Sequence, residues 1–420
     1  MQETLLKHFY EPFEKSFEVW QVAVDKVWES WMMEPAALQM VKKSLDTLLD
    51  LKASYNQLSA LFGMPLADEI LRNMSETTSR YIRNSFDTVS EVVGKELIPK
   101  LAPTAYDLVY AQDNMKLLRY KSGKRTYKTP ILLVCSLVNR YYILDLARKH
   151  SYVQYLLDNG FDVYIIDWGR PDNRNLDFTD YVDRYIGSAV KEIKKLSNVN
   201  QITIFGYCIG GIFSTIYTAK NPEEVKNLIL MATPIDFSKS GLIGYWADEN
   251  YFDVDRLIDL FGYAPAELVQ NSFVMLKPIT NFTKYIYMFK HPSDEEYLRG
   301  FLALEMWVHD NVPIAGAFYK KLIKDLYRKN LLIKGGFKVG TEKVDLGRIA
   351  SSLLVLTASH DNIVPESSSL AIMDKVSSID KENTSFPYGH ISMSVSTGAM
   401  QTLWPHSVNW LKQRSTEKES

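Results

Sequence analysis

Cysteine is nearly absent from this chain. Its 420 residues hold two, Cys135 and Cys208, too few for a disulfide framework and suited to a reducing compartment. Charge of one sign is lacking too. Lys and Arg number 48 against 50 Asp and Glu, a net charge of −2, and no long basic run stands out, which argues against a dedicated nucleic-acid binder. Long apolar runs are missing: the longest, 130–138, is far too short to span a bilayer and reads as a buried strand. The opening Met1-Gln2-Glu3-Thr4-Leu5-Leu6-Lys7-His8 has no signal-peptide pattern. A cytoplasmic protein is expected, soluble or only peripherally attached to something apolar. What the chain has is 46% hydrophobic and 12% aromatic residues, enough for a large core built as one α/β domain with additions.

Glycine is scarce over 1–102, and the period there is helical. Phe13, Phe17, Trp20, Val24, Val27 and Trp31 follow three- and four-residue steps, and Leu45, Leu48, Leu49 and Leu58 continue them. Gly63-Met64-Pro65 interrupts the pattern and 67–93 resumes it. Over 103–233 short apolar strands (131–135, 163–167, 202–205, 228–232) alternate with helices (153–159, 181–196, 213–221). That alternation implies a parallel sheet with right-handed crossovers. From 234 to 333 the strand signal disappears and aromatics accumulate, Trp246, Phe261, Trp307, Phe318 and Tyr327 among them. The sheet pattern returns at Leu353, within 334–420. An insertion placed between sheet strands in this way reads as a cap over an active site.

Ile202-Thr203-Ile204-Phe205-Gly206-Tyr207-Cys208-Ile209-Gly210-Gly211 carries the most information. A short β-branched run ends in Gly-x-Cys-x-Gly-Gly and continues with helical character: the strand, sharp turn and helix of a nucleophile elbow, with sulfur in place of the usual hydroxyl. Cys208 would stand at a helix N-terminus, which favours a thiolate. A small apolar residue in a buried turn fits the same motif, so the decision rests on downstream partners. Strand 353–356 leads to Asp361, and a second short strand leads to His390 in a loop. Cys208, Asp361, His390 is the α/β-hydrolase order of nucleophile, acid and histidine. Each falls at the C-terminal end of a strand, where open α/β sheets place their sites. The other histidines fit less well. His8, His150, His291 and His406 lack an acid-and-turn context, His309 lies on a helix that no strand end delivers, and His360 reads as a loop residue.

From about Thr104 onward the chain resembles the polyhydroxyalkanoate synthases, in particular the shorter type that works with a partner subunit and its archaeal relatives. The resemblance rests on Tyr106-Asp107-Leu108-Val109, on Leu137-Val138-Asn139-Arg140-Tyr141-Tyr142-Ile143-Leu144-Asp145-Leu146, on Tyr164-Ile165-Ile166-Asp167-Trp168-Gly169, on the cysteine-bearing box around Cys208, and on the segment from Phe318-Tyr319 to Leu346. It implies an α/β-hydrolase fold with Cys208 as nucleophile, His390 as base and Asp361 as its orienting acid. Two departures stand out: His360 precedes the aspartate and Asn362 follows it, where relatives have histidine after it, and Cys135-Ser136 stands where longer relatives carry a proline pair.

The implied reaction is polymerisation of (R)-3-hydroxyacyl-CoA into polyhydroxyalkanoate through a cysteine acyl-enzyme. The backbone amides of Ile209 and Val138 would serve as oxyanion donors. No cofactor or metal is implied, since CoA is part of the substrate and the leaving group. Other implied partners are the growing polyester, a second copy in a homodimer, the polymer granule surface, and an activating subunit or its built-in equivalent within 1–102. Segments 28–35 and 61–65 faintly resemble that subunit; an amphipathic hairpin against the core is the plainer reading. Rival readings are a cysteine thioesterase of the same fold, or a non-catalytic granule scaffold.

Overall fold

The structure, a computed structural model, describes residues 98–123, 125–277, 284 and 294–417. The helical reading of 1–102 falls almost wholly outside the described residues. The chain divides into two compact units, one of Met1–Ile98 with Lys277–Leu302 and one of Pro99–Leu276 with Ala303–Ser420. Eight strands form the central sheet of the second: β1 (Tyr106–Gln112), β2 (Met115–Tyr120), β3 (Ile131–Val134), β4 (Val163–Asp167), β5 (Ile202–Tyr207), β6 (Val225–Met231), β7 (Ser352–Ala358) and β8 (Lys381–Phe386). They lie in the order β1-β2-β4-β3-β5-β6-β7-β8. β2 is antiparallel to both neighbours, and every pair from β4 to β8 along that order is parallel. This is the mostly parallel sheet expected of an α/β-hydrolase fold.

Composition explains the order. β3 and β5 are buried at every residue, and such continuous Ile, Leu, Val and Phe runs are stable only between two helix layers. β8 alternates exposed and covered residues, as an edge strand does. The two-residue period sends Leu132, Val134, Ile202 and Ile204 into one apolar layer, and Ile131, Leu133, Phe205 and Tyr207 into the other. Four main helices cover these faces: α1 (Tyr152–Asp158), α2 (Gly187–Ser197), α3 (Ile209–Lys220) and α4 (Leu403–Arg414). α2 and α3 fill the first layer, α1 and α4 the second. From Ile209 to Ala219, α3 is buried on all sides. Its hydroxyls turn inward onto the helix backbone, Ser214 donating to Gly210 O and Thr218 to Ser214 O, each at 2.7 Å.

Much of the 234–333 insertion belongs to the same unit as the sheet. Phe318 meets Phe178 at 4.7 Å and Phe213 of α3 at 5.4 Å, ring contacts worth about 0.5–1.5 kcal/mol each beyond their burial. The insertion also holds one small antiparallel pair, Tyr263–Ala264 with Ile314–Ala315. Two-residue strands are too short to leave an alternating pattern in a sequence.

Candidate active site

β5 delivers Cys208 at the sheet's carboxyl edge. Its backbone sits at φ 56°, ψ −122°, a region that costs a non-glycine residue about 1–3 kcal/mol unless the surroundings enforce it. Here they do. Cys208 N donates to Met231 O at 3.1 Å, and Cys208 O accepts from Gly211 N at 2.9 Å. A Cβ on Gly206 would lie 2.5 Å from Gly211 Cα and 2.7 Å from Ser214 Oγ; one on Gly210 would run into the Val134 carbonyl and reach 2.6 Å from Cys135 O. Neither position has room for a side chain, so the turn closes tightly. Half-buried Cys208 is the residue just before α3, with its thiol at the positive end of that helix.

His390 and Asp361 arrive from the loops after β8 and β7. His390 Nδ1 bonds Asp361 Oδ2 at 2.7 Å, with the carboxylate fully buried and the imidazole 10% exposed. The other carboxylate oxygen accepts from Ile363 N at 2.8 Å and Val364 N at 2.9 Å. Asp361 therefore cannot turn away, and a carboxylate acceptor at Nδ1 leaves Nε2 as the free base. Burial works against a charged imidazole here, but Asp361, then Tyr207 and Cys208, outweigh it and hold the His390 pKa well above its usual 6.5. Cys208 directly follows Tyr207, whose ring lies 5.3 Å from the imidazole. Among the described residues its thiol makes no hydrogen bond, as often holds for such pairs before substrate tightens them.

Tyr207 went unnoticed in the sequence. Its hydroxyl donates to His390 O at 2.9 Å, and the two rings stack at 5.3 Å. Burial pushes its phenol up to about 12, so it stays a donor throughout the neutral range. The available signal was strand alternation, which turns Phe205 and Tyr207 to the face that receives the His390 loop.

Ile209 is the first residue of α3, where helix amides lack intrahelical acceptors. The Val138 amide donates to Ser136 Oγ at 3.3 Å. Cys135 is buried, its thiol donating to Tyr141 O at 3.4 Å, and desolvation pushes its pKa up sharply; it is a structural cysteine. The remaining described histidines make other contacts. His150 Nδ1 meets Val395 O at 2.9 Å, His309 Nδ1 meets Glu305 O at 2.7 Å, and His406 Nε2 meets Thr384 Oγ1 at 3.0 Å. His360 is exposed beyond β7. His8 and His291 lie outside the described residues. Among the described residues no cluster of three or more potential metal ligands occurs, and no helix is long and apolar enough to cross a membrane.

Residues 130–396 match the α/β hydrolase fold family, and residues 61–156 match the N-terminus of poly-beta-hydroxybutyrate polymerase (PhaC). The poly(3-hydroxyalkanoate) polymerase subunit PhaC of Haloferax mediterranei is 38% identical over 335 residues, 78% of this chain and 66% of that protein. Its namesake from Thiocystis violacea is 34% identical over 355 residues, 83% of this chain and 98% of that protein. The chain belongs to the poly(3-hydroxyalkanoate) polymerase family. It spans just under two thirds of the Haloferax relative and almost all of the Thiocystis one. A solved monoacylglycerol lipase from Paleococcus ferrophilus aligns over 71% of this chain and 99% of its own, at 17% identity and TM-score 0.45. The polymerase match begins at residue 61, upstream of Thr104, where the sequence resemblance was placed.

Proposed function

We propose that this polymerase-family chain is an acyltransferase that polymerises (R)-3-hydroxyacyl-CoA into polyhydroxyalkanoate with release of CoA, through an acyl-enzyme on Cys208. The single observation that carries the reading is the buried His390–Asp361 pair, bonded at 2.7 Å, with its imidazole stacked on Tyr207, the residue before the elbow cysteine. In this scheme His390 Nε2 takes the thiol proton, the Cys208 thiolate attacks the acyl-CoA carbonyl, and the tetrahedral oxyanion is met by the Ile209 amide and an amide of the loop around Val138. Collapse expels the CoA thiolate, which recovers the proton from His390. A second hydroxyacyl unit then enters. His390 removes its hydroxyl proton, the alkoxide attacks the Cys208 thioester, and an ester forms as the thiolate leaves.

Sulfur suits this sequence, since exchanging one thioester for another is nearly neutral and keeps the thioester's free energy for making the ester. No cofactor takes part, CoA being carried by the substrate. A homodimer at a cytoplasmic granule surface, activated by a partner subunit or by residues within 1–102, belongs to the same proposal. The test is purified protein given (R)-3-hydroxybutyryl-CoA, with free CoA and turbidity followed together. Polymer with stoichiometric CoA is expected. Free hydroxy acid without polymer would make the protein a thioesterase, and no CoA release would make it a scaffold.

A further inference from the structure

The loop that follows β3, residues 136–144, is joined to residues 307–312 by a run of polar contacts beside the candidate site. Asn139 and Asn311 form an isolated antiparallel bridge, and the Asn139 side-chain amide donates to Asn311 Oδ1. Asn311 Nδ2 donates onward to Val308 O at 2.9 Å and Gln270 Oε1 at 3.0 Å. The Tyr142 hydroxyl donates to Asp310 Oδ2 at 2.6 Å, and Trp307 Nε1 to Arg140 O at 2.8 Å. Val312 N reaches Val138 O at 3.3 Å. Tyr142 is buried, and burial followed by its bond to Asp310 pushes its pKa up, so it remains a donor.

The position of these contacts gives them consequence. β3 ends at Val134, and residues 135–144 belong to no strand of the central sheet. On one side the Val134 and Cys135 carbonyls, which lead into the loop, leave no room for a Cβ on Gly210 of the nucleophile turn, with Cys135 O pinned by Trp168 Nε1 at 2.9 Å. On the other side stand residues 307–312. We propose that the Asn139–Asn311 and Tyr142–Asp310 contacts are a positioning clasp, which holds the amides of this loop at the correct distance from Cys208 and thereby sets the acylation rate rather than substrate affinity. The proposal rests on the acyl-transfer reading above. None of these side chains is placed on the reacting atoms, so they act through the loop.

The test uses full-length Asn139→Ala, Asn311→Ala, the double variant and Tyr142→Phe. Steady-state CoA release, Cys208 alkylation by iodoacetamide, melting temperature and amide exchange of the 135–140 peptide are measured. A misplaced oxyanion loop should lower kcat by about tenfold to a hundredfold, while KM and the alkylation rate stay within about twofold. The double variant should be no slower than Asn311→Ala, since the bond that Asn139→Ala removes is already lost there. Faster amide exchange in 135–140 should accompany the loss. Lower melting temperature with kcat unchanged would overturn the proposal, as would additive losses in the double variant. Tyr142→Phe loses one oxygen only, so it decides the matter if the asparagine variants do not fold: wild-type kcat there overturns the clasp. If the wild-type protein releases no CoA, the acyl-transfer reading has failed instead, and unaltered exchange in 135–140 would separately reject the clasp.

Discussion

Replacing Asp361 by Asn should separate the two proton transfers of the proposed cycle. Asp361 Oδ1 lies between two donors, Ile363 N at 2.8 Å and Val364 N at 2.9 Å, so an amide side chain must keep its oxygen there. Its NH2 group then faces His390 Nδ1, now 2.7 Å from Oδ2, and that nitrogen must become an acceptor. The imidazole proton moves to Nε2, the tautomer that cannot act as base on either substrate. An alcohol does not lose its proton at neutral pH without a base, so elongation should fall by about 10²–10⁴. The thiol keeps another route. A thiol gives up its proton more readily than an alcohol does, so acylation should fall far less than elongation and recover in alkaline buffer. Rapid-quench single turnovers of (R)-3-hydroxybutyryl-CoA separate the steps: the first CoA released reports acylation, and the first dimeric ester reports elongation. Equal losses in both steps, or acylation that does not recover in alkali, would refute this reasoning.

Cys208→Ala should abolish CoA release and Cys208→Ser should leave at most a trace, because a hydroxyl needs a stronger base than a thiol; polymer formed by Cys208→Ala at near the wild-type rate would end the acyl-enzyme reading. Gly210→Ala places a methyl against the Val134 and Cys135 carbonyls and should destabilise by about 1–3 kcal/mol, read as a lower melting temperature with CoA release lost. A wild-type melt and wild-type activity would show that the turn has more room than it displays. His390 titrates above its usual 6.5, with burial opposing its charge and Asp361, Tyr207 and Cys208 together outweighing burial. The stability given by its charged form is therefore complete below pH 6.5 and lost as pH rises through the raised value. Melting temperature should decline across that window in the wild type and stay flatter in His390→Ala; parallel curves would contradict the assignment.

The sheet and the positions of the candidate site residues were legible for one physical reason. Buried parallel strands need continuous apolar runs, and the fold puts chemistry at the carboxyl ends of those runs, so Cys208, Asp361 and His390 could be sought at a few defined places. Strand 163–167 matches β4 residue for residue. The start of α3 did not follow the pattern: the reading began a helix at 213, and the structure begins it at Ile209. Gly210 and Gly211 are poor helix formers, yet they are required there because β3 and Thr233 leave no space for side chains. Packing overrode propensity at the position where the nucleophile is held.

Contacts formed across long stretches of sequence left no such trace. Tyr207 and His390 are 183 residues apart in the chain and Asn139 and Asn311 are 172, and a pair of that kind has neither period nor spacing. Strand alternation fixes which side Tyr207 faces, but only the folded β8 loop supplies the carbonyl it bonds. The same holds for the loop that follows β3. The amide of Val138 was implied by the family resemblance, whereas the folded loop turns that amide onto Ser136 Oγ. A loop outside the central sheet takes its shape from what presses on it, here the elbow at Gly210 on one side and Asn311 on the other. Its geometry is therefore a property of tertiary contacts, and under the proposed mechanism substitutions at 139 or 311 should change turnover although neither residue is among the proposed catalytic ones.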